Sequence, residues 1–373
     1  MKPLVGFFFV TLTLLSCSGQ TTRLQEGCDS IRLQYATLPQ IVRHDDYTVV
    51  TLANPWKQGR VLHTYVLVSR DKPLPSHLPK GTVIRTPLQR AVVFTTVHSA
   101  LLVELGCQER IAGVADLKYI KIPYVQQQVK AGRIVDCGDG LSPVVEKIID
   151  VKPDAILLSP FENSGGYGKL EEIDIPLVEC AEYMETSPLA RAEWMKFYGM
   201  LFGVEQKTDS LFAVVDSSYH ALQAQAARAG QGRLALVDKM VGSVWYVPGG
   251  RSTIGQMIHD ACGRYPWSDD THSGSLSLPF ETVLERGEDA DVWCYRYSSD
   301  HKTNYRELLS EHRGYNELKA YRQREVYACN VEQTLFYEET PFRPDYLLGD
   351  FIKMVHPEMR KTTPLRYYRK LDD

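Results

Sequence analysis

The chain has 373 residues, 44% of them apolar and 24% charged, which is enough material for two hydrophobic cores and too much for one compact domain. Its net charge of −4 provides no basic field of the kind that binds nucleic acid or recruits a protein to anionic lipid, so both partners are disfavoured.

Lys2 is followed by an apolar run from Pro3 to Leu15, too short to cross a bilayer as a helix and matched to the h-region of a signal peptide. The run ends in Leu14-Leu15-Ser16-Cys17, which resembles the lipobox of bacterial lipoproteins. That resemblance implies removal of residues 1–16 and lipidation of Cys17. Residues 17–22 then make a short polar tether without an acidic run, which favours a periplasm-facing, membrane-anchored protein that touches the membrane only through its lipid. With Cys17 lipidated, seven of the eight cysteines remain, an odd number, and no CxxC occurs. Most sit beside apolar runs and read as small buried hydrophobes, with neither a disulfide framework nor a metal site expected.

Residues 23–89 read as a β-rich extension, with strands expected in IRLQYATL, YTVVTLAN and VLHTYVLV before a break at PLPSHLPKG. From Arg90 the pattern becomes α/β: RAVVFTT as a strand, HSALLVELG as a helix, RIAGVAD as a strand, then RIVDCG, SPVVEKIIDVK, DAILLS and IPLVEC. This lobe is expected over 90–203. Residues 204–229 carry neither Gly nor Pro and place Leu211, Val215, Tyr219, Leu222 and Ala226 on one stripe, which predicts a single helix able to bridge two lobes. A second α/β series fills 230–373, from the strand RLALVDK to the helix RPDYLLGDFIKMVHPE. The halves repeat a pattern: Glu146 precedes Asp154-Ala155 by eight residues, and Glu281 precedes Asp289-Ala290 by eight. The predicted fold is therefore α/β, two Rossmann-like lobes joined by one long helix, with the β-rich extension in front.

Catalytic signatures for metalloproteases, nucleotide binding, nucleophile elbows and EF-hands are missing, so no enzyme is expected. The piece Val247-Pro248-Gly249-Gly250-Arg251-Ser252-Thr253 reads as a strand-to-helix turn needing positive φ, or alternatively as an anion cradle.

The order of elements, with LSPVVEKIIDVKPDAILLS in the first half and LPFETVLERGEDADVWCY in the second, resembles the class III periplasmic binding proteins for iron chelates, haem and cobalamin. The resemblance covers residues 90–356. It implies a rigid two-lobed solute binder for an ABC importer, monomeric, with a permease and ATPase as partners and no cofactor of its own. It further implies that Glu146 and Glu281, one per lobe, dock on the permease. The tryptophans of the cobalamin binders are not matched, since Asp139-Gly140, Ser159-Pro160-Phe161 and Ser275-Leu276-Ser277 stand in their places.

Ligands of open α/β sheets lie beyond the carboxyl ends of the strands, which selects the contact candidates. In the first lobe these are His98, Ser99, Asp116, Tyr119, Phe161 and Tyr167; in the second, Trp245, Tyr246, Arg251, Tyr295, Arg296, Tyr297, Phe336 and Tyr337. Aromatic rings suit a macrocycle or catecholate, and arginines suit the charge of a ferric chelate. The expected ligand is a metal chelate of the ferric siderophore, haem or cobalamin type. Two alternatives stay open: a surface adhesion or structural lipoprotein without a small-molecule ligand, and a binder of a bare metal ion.

Overall fold

The computed structural model describes residues 29–162, 166–361 and 364–373. The signal peptide, Cys17 and the tether lie outside the described residues.

The extension folds as a five-stranded sheet of Asp29–Ile31, Pro39–Arg43, Thr48–Ala53, Val61–Ser69 and Thr82–Thr86, antiparallel except for its last, parallel pair. IRLQYATL is not a strand beyond its first residue. Its amides are claimed by two buried carboxylates of the next lobe: Glu193 accepts from Gln34, Tyr35 and Ala36 at 2.7–3.0 Å, and Glu185 accepts from Thr37 and Leu38 at 2.9 and 3.0 Å. With its donors satisfied there, the segment has no need of a strand partner.

The first lobe is a parallel sheet in the order Leu177–Glu179, Ala155–Leu158, Ala91–Val93, Ile111–Val114, Val135–Asp136. Alternate side chains serve two cores: Ala91, Val93 and Leu157 face the main core, whereas Val92, Ile156 and Leu158 join a second cluster with Ile148 and Leu170. Strand order reverses between Ala91–Val93 and Ala155–Leu158, which makes a switch point.

The second lobe repeats the wiring. Ala235–Val237, Val292–Tyr297 and Val326–Asn330 run parallel, and Arg369–Lys370 closes the sheet antiparallel. A separate antiparallel sheet of Met240–Val241, Val244–Pro248 and Ser275–Leu278 covers one side. Glu205–Ala229 is one helix, about 37 Å long at 1.5 Å per residue. It packs against the helices Met195–Phe202 and Pro344–Val355. Gly199 allows the first approach, because a Cβ there would overlap the Thr208 side chain.

The halves share one device, in a register different from the eight-residue repeat. Asp154 Oδ2 accepts from the amides of Gln89 and Arg90 at 2.6 and 2.9 Å, just before the first strand of its lobe. Asp291 Oδ2 accepts from the amide of Leu234 at 2.9 Å in the corresponding place. The counterpart of Asp154 is thus Asp291, not Asp289.

Trp245 is fully buried, with its Nε1–H donating to Val237 O at 3.0 Å and its ring packed on Phe280, Trp293 and Tyr315. Glycines 249 and 250 do not adopt positive φ. A Cβ at either would strike carbonyl oxygens of residues 267–274, so close backbone packing is what requires glycine there. The amides of Gly249 and Arg251 donate to Gly274 O and His272 O, which leaves no anion cradle in this turn.

Two stability predictions follow from this packing. Trp245→Ala should cost about 3–5 kcal/mol, read as a lower urea midpoint, because the cavity opens among three aromatic rings. Burial raises the Asp291 carboxyl, but hydrogen bonds from Lys319 and Leu234 and the charge of Arg264 outweigh it, so the net shift is downward. A lowered carboxyl stabilises the fold above the unfolded-state range and loses that contribution as pH falls through it, below about pH 4. Asp291→Ala should therefore cost about 2 kcal/mol at neutral pH, with the difference from wild type vanishing in acid.

Candidate functional site

The carboxyl ends of the first-lobe strands open into a cavity of about 900 Å³. It lies at the switch point, with Phe94 and Thr95 following one strand, Leu158 and Ser159 at the end of the other, and Asp116, Leu141, Phe161 and Tyr167 completing its wall. Asp116 adopts φ 52°, and Gly140 lies against its carboxylate, where a side chain would clash. Phe161 is 55% exposed and presents its ring to solvent. Tyr167 is fixed instead, donating its O–H to Glu179 Oε1 at 2.6 Å. Burial and this bond hold the phenol well above the usual tyrosine range. Glu179 also contacts His63 of the extension at 3.0 Å. A neighbouring cavity of about 970 Å³, walled by Trp56 and His63 on one side and Phe161, Tyr167 and Glu171 on the other, continues between extension and lobe.

In the second lobe a parallel bridge between Leu234 and Arg264 lies on the side of the first strand away from Val292–Tyr297, so the order reverses there too, and at that switch point Arg296 donates to both oxygens of Asp238, at 3.0 and 2.6 Å. Its guanidinium carbon lies 5.6 Å from the Phe336 ring and 5.9 Å from that of Tyr337. These three residues line a cavity of about 170 Å³ whose other wall is Val97 and Arg191 of the first lobe. Arg191 Nε is buried without a hydrogen-bond partner, and no carboxylate lines this cavity among the described residues. The lobes meet around it through Thr96 Oγ1 donating to Glu338 at 3.0 Å, Lys121 with Glu332 at 2.6 Å, and Arg343 with Glu104 at 3.2 Å.

The expected contacts thus separate into groups. Asp116, Phe161 and Tyr167 share the first-lobe cavity, and Arg296, Phe336 and Tyr337 share the interlobe one. The rest do not converge. Trp245 belongs to the core, Tyr246 projects exposed from the small sheet, and Arg251 is exposed beyond it. Tyr295 is buried beside Trp293, and the Tyr297 hydroxyl accepts from the Thr303 amide at 3.3 Å. Tyr119 is a surface ring under Lys118. Ser99 is buried and donates to Thr95 O at 3.1 Å. Sequence reading missed Arg191, Asp238 and Glu338, whose surroundings carry no local motif.

His98 does not face the cleft either. It is 1% exposed, with Nε2 at 3.1 Å from Glu182 Oε1 and 3.0 Å from the Tyr198 hydroxyl. Burial opposes its protonation, but Cys180 and Glu182 around the ring outweigh that and push it up to about 10. Glu182 is correspondingly lowered, in spite of its own burial, by His98.

Glu146 and Glu281 occupy the first turns of the helices Val145–Val151 and Phe280–Gly287. Both are exposed. The six described cysteines, Cys107, Cys137, Cys180, Cys262, Cys294 and Cys329, are unpaired.

Comparison with known proteins agrees with this architecture. An uncharacterised lipoprotein of Methanocaldococcus jannaschii is 26% identical over 362 residues, covering 91% of this chain and 85% of its own. A second from the same organism is 25% identical and covers 95% and 94%. Among solved structures, a periplasmic binding protein from Veillonella parvula superposes with TM-score 0.62 at 12% identity, covering 83% of this chain and 98% of that one. A periplasmic heme-binding protein from Pseudomonas aeruginosa gives 0.59 at 16%, covering 77% and 99%. At these identities the structural likeness is one of fold. A model of the periplasmic binding protein family matches residues 92–332, and the chain belongs to that family.

Proposed function

We propose that this protein captures a bulky anionic metal chelate, of the ferric siderophore, haem or cobalamin type, and hands it to the permease and ATPase of an ABC importer. The observation that carries the reading is the cavity of about 900 Å³ at the first-lobe switch point, walled by Phe161 and Tyr167. Its volume falls in the range of sites that enclose drug-sized ligands, and aromatic walls suit a flat or catecholate face. Arg191, whose Nε has no hydrogen-bond partner, adds positive charge where the lobes meet, which suits a pendant carboxylate of such a solute. Lipidation at Cys17 would hold the protein at the membrane as a monomer, in keeping with relatives named as lipoproteins.

Fluorescence titration against ferric siderophores, haem, cobalamin and cobinamide tests the solute. Binding of one of them at micromolar or tighter concentration is expected, weakened about tenfold by Phe161→Ala or Tyr337→Ala, since each ring is exposed and dispensable for folding. Failure of all of them to bind overturns the reading.

Docking is a separate step. We infer that Glu146 and Glu281 are the two contacts with the permease, one carboxylate on each lobe. The doubly reversed variant Glu146→Arg, Glu281→Arg should lose transporter-stimulated ATP hydrolysis while its solute affinity stays unchanged. A loss of solute affinity would place these carboxylates in the cleft instead.

A further inference from the structure

Behind the first-lobe wall of the interlobe cavity, three elements bring metal-binding groups to one point. His98 comes from the helix Thr96–Glu104, Cys180 and Glu182 follow the edge strand Leu177–Glu179, and Tyr198 comes from the helix Met195–Phe202. The ligand atoms of His98, Cys180 and Glu182 all lie within 4.8 Å of one another. The Tyr198 oxygen is 3.0 Å from His98 Nε2 and 2.8 Å from Glu182 Oε2. We propose that His98, Cys180 and Glu182, with the Tyr198 phenol as fourth donor, form a closed structural site for one zinc ion, distinct from the solute cavity.

Donor identity and spacing carry the assignment. One imidazole, one thiol and oxygen donors are the set zinc takes, and all four are buried, as in structural rather than open sites. A tetrahedron of nitrogen and oxygen ligands about zinc has edges of roughly 3.3 Å. The Nε2–Oε1 separation of 3.1 Å needs only a few tenths of an ångström of expansion to match. Nε2 can make one good hydrogen bond, yet it faces the Glu182 carboxylate and the Tyr198 oxygen, with the Cys180 sulfur also in reach. That convergence of nitrogen, sulfur and oxygen donors on one point suits a cation.

The surroundings are those of a ligand histidine. Nδ1 is engaged by Thr95 Oγ1, a hydroxyl able to accept the Nδ1 proton and so leave the Nε2 lone pair turned to the site. Phe342 sets its edge against both His98 and Tyr198, with ring centroids at 6.3 and 5.8 Å, and seals the group from solvent. Charge also closes: thiolate, carboxylate and phenolate leave a divalent ion at −1, and the buried Arg191, whose charge acts on Glu182 and Tyr198, restores neutrality. Loading would release the thiol and phenol protons, and the extra proton of the His98 imidazolium, to solvent.

The test uses the purified full chain, unfolded with chelator and refolded with or without zinc chloride. Elemental analysis after gel filtration should find about one zinc per chain, falling below about a tenth in Cys180→Ser and His98→Gln, while Phe161→Ala keeps its zinc. Cobalt in place of zinc should give a thiolate-to-metal charge-transfer band that Cys180→Ser abolishes. If those variants do not fold, the wild-type cobalt band decides alone, because Cys180 is the thiol of this cluster and the other described cysteines lie elsewhere. A wild-type chain without zinc and without that band, or variants that retain zinc equally, would overturn the site and leave a buried His98–Glu182 pair. Neither result bears on the solute titration.

Discussion

Two aspartates hold this architecture in register. In a parallel sheet the first amides of a strand have no partner on the side where its neighbour has not yet begun, and an unpaired buried donor is costly. Asp154 and Asp291 each stand just before one strand and accept the amides leading into the strand beside it. Arg70 pairs with the first carboxylate, and Arg264 and Lys319 with the second. Because this fixes where paired strands start, it also fixes where they end, and their level carboxyl ends make the crevice at each switch point. The first-lobe cavity and the Asp238–Arg296 pair are consequences of that alignment.

The extension works on the same site from another direction. Glu185 and Glu193 hold its first loop by the backbone, while His63 reaches Glu179, the carboxylate that orients Tyr167. A wall residue of the solute cavity is therefore positioned by a segment outside the part matched by the family model, which begins at residue 92. The archaeal relative that covers 95% of this chain leaves too few residues unmatched to lack a counterpart of the extension.

Regular elements were legible in the sequence because hydrophobic period and Gly/Pro punctuation are local. The helix from 205 to 229 and the strands at 91, 155, 292 and 326 stand where the patterns put them. What failed was non-local. IRLQYATL has the composition of a strand, but Glu185 and Glu193, some 150 residues away, take its amides. Trp245 and Tyr246 precede a glycine-rich turn as a ligand pair would, yet pleating sends one into the core and the other into solvent. The repeat pointed to Asp289 because equal spacing was assumed, whereas the second lobe places two more residues before its aspartate. Cys180 and Glu182 are 82 and 84 residues from His98, so no spacing rule could have joined them.

The packing also limits how the solute can enter. A single hydrophobic core runs from Ile41 in the extension through Phe197 and Phe212 to Leu348 and Phe351 in the second lobe. Swinging the lobes apart would expose part of it at about 25 cal/mol per Å², and would break the Thr96–Glu338 and Lys121–Glu332 contacts as well. The helix from 205 to 229 resists such a swing, since it has no Gly or Pro at which to bend and is held near its start by Gly199 against Thr208 and past its middle by Tyr219 donating to Asp260 at 2.7 Å. Access to the first-lobe cavity is left to its exposed rim, where Phe161 and Leu141 are free to change rotamer without disturbing either core. On the function proposed above, selectivity rests on the shape and chemistry of a preformed wall, and docking on a permease rests on a fixed distance between the two lobes.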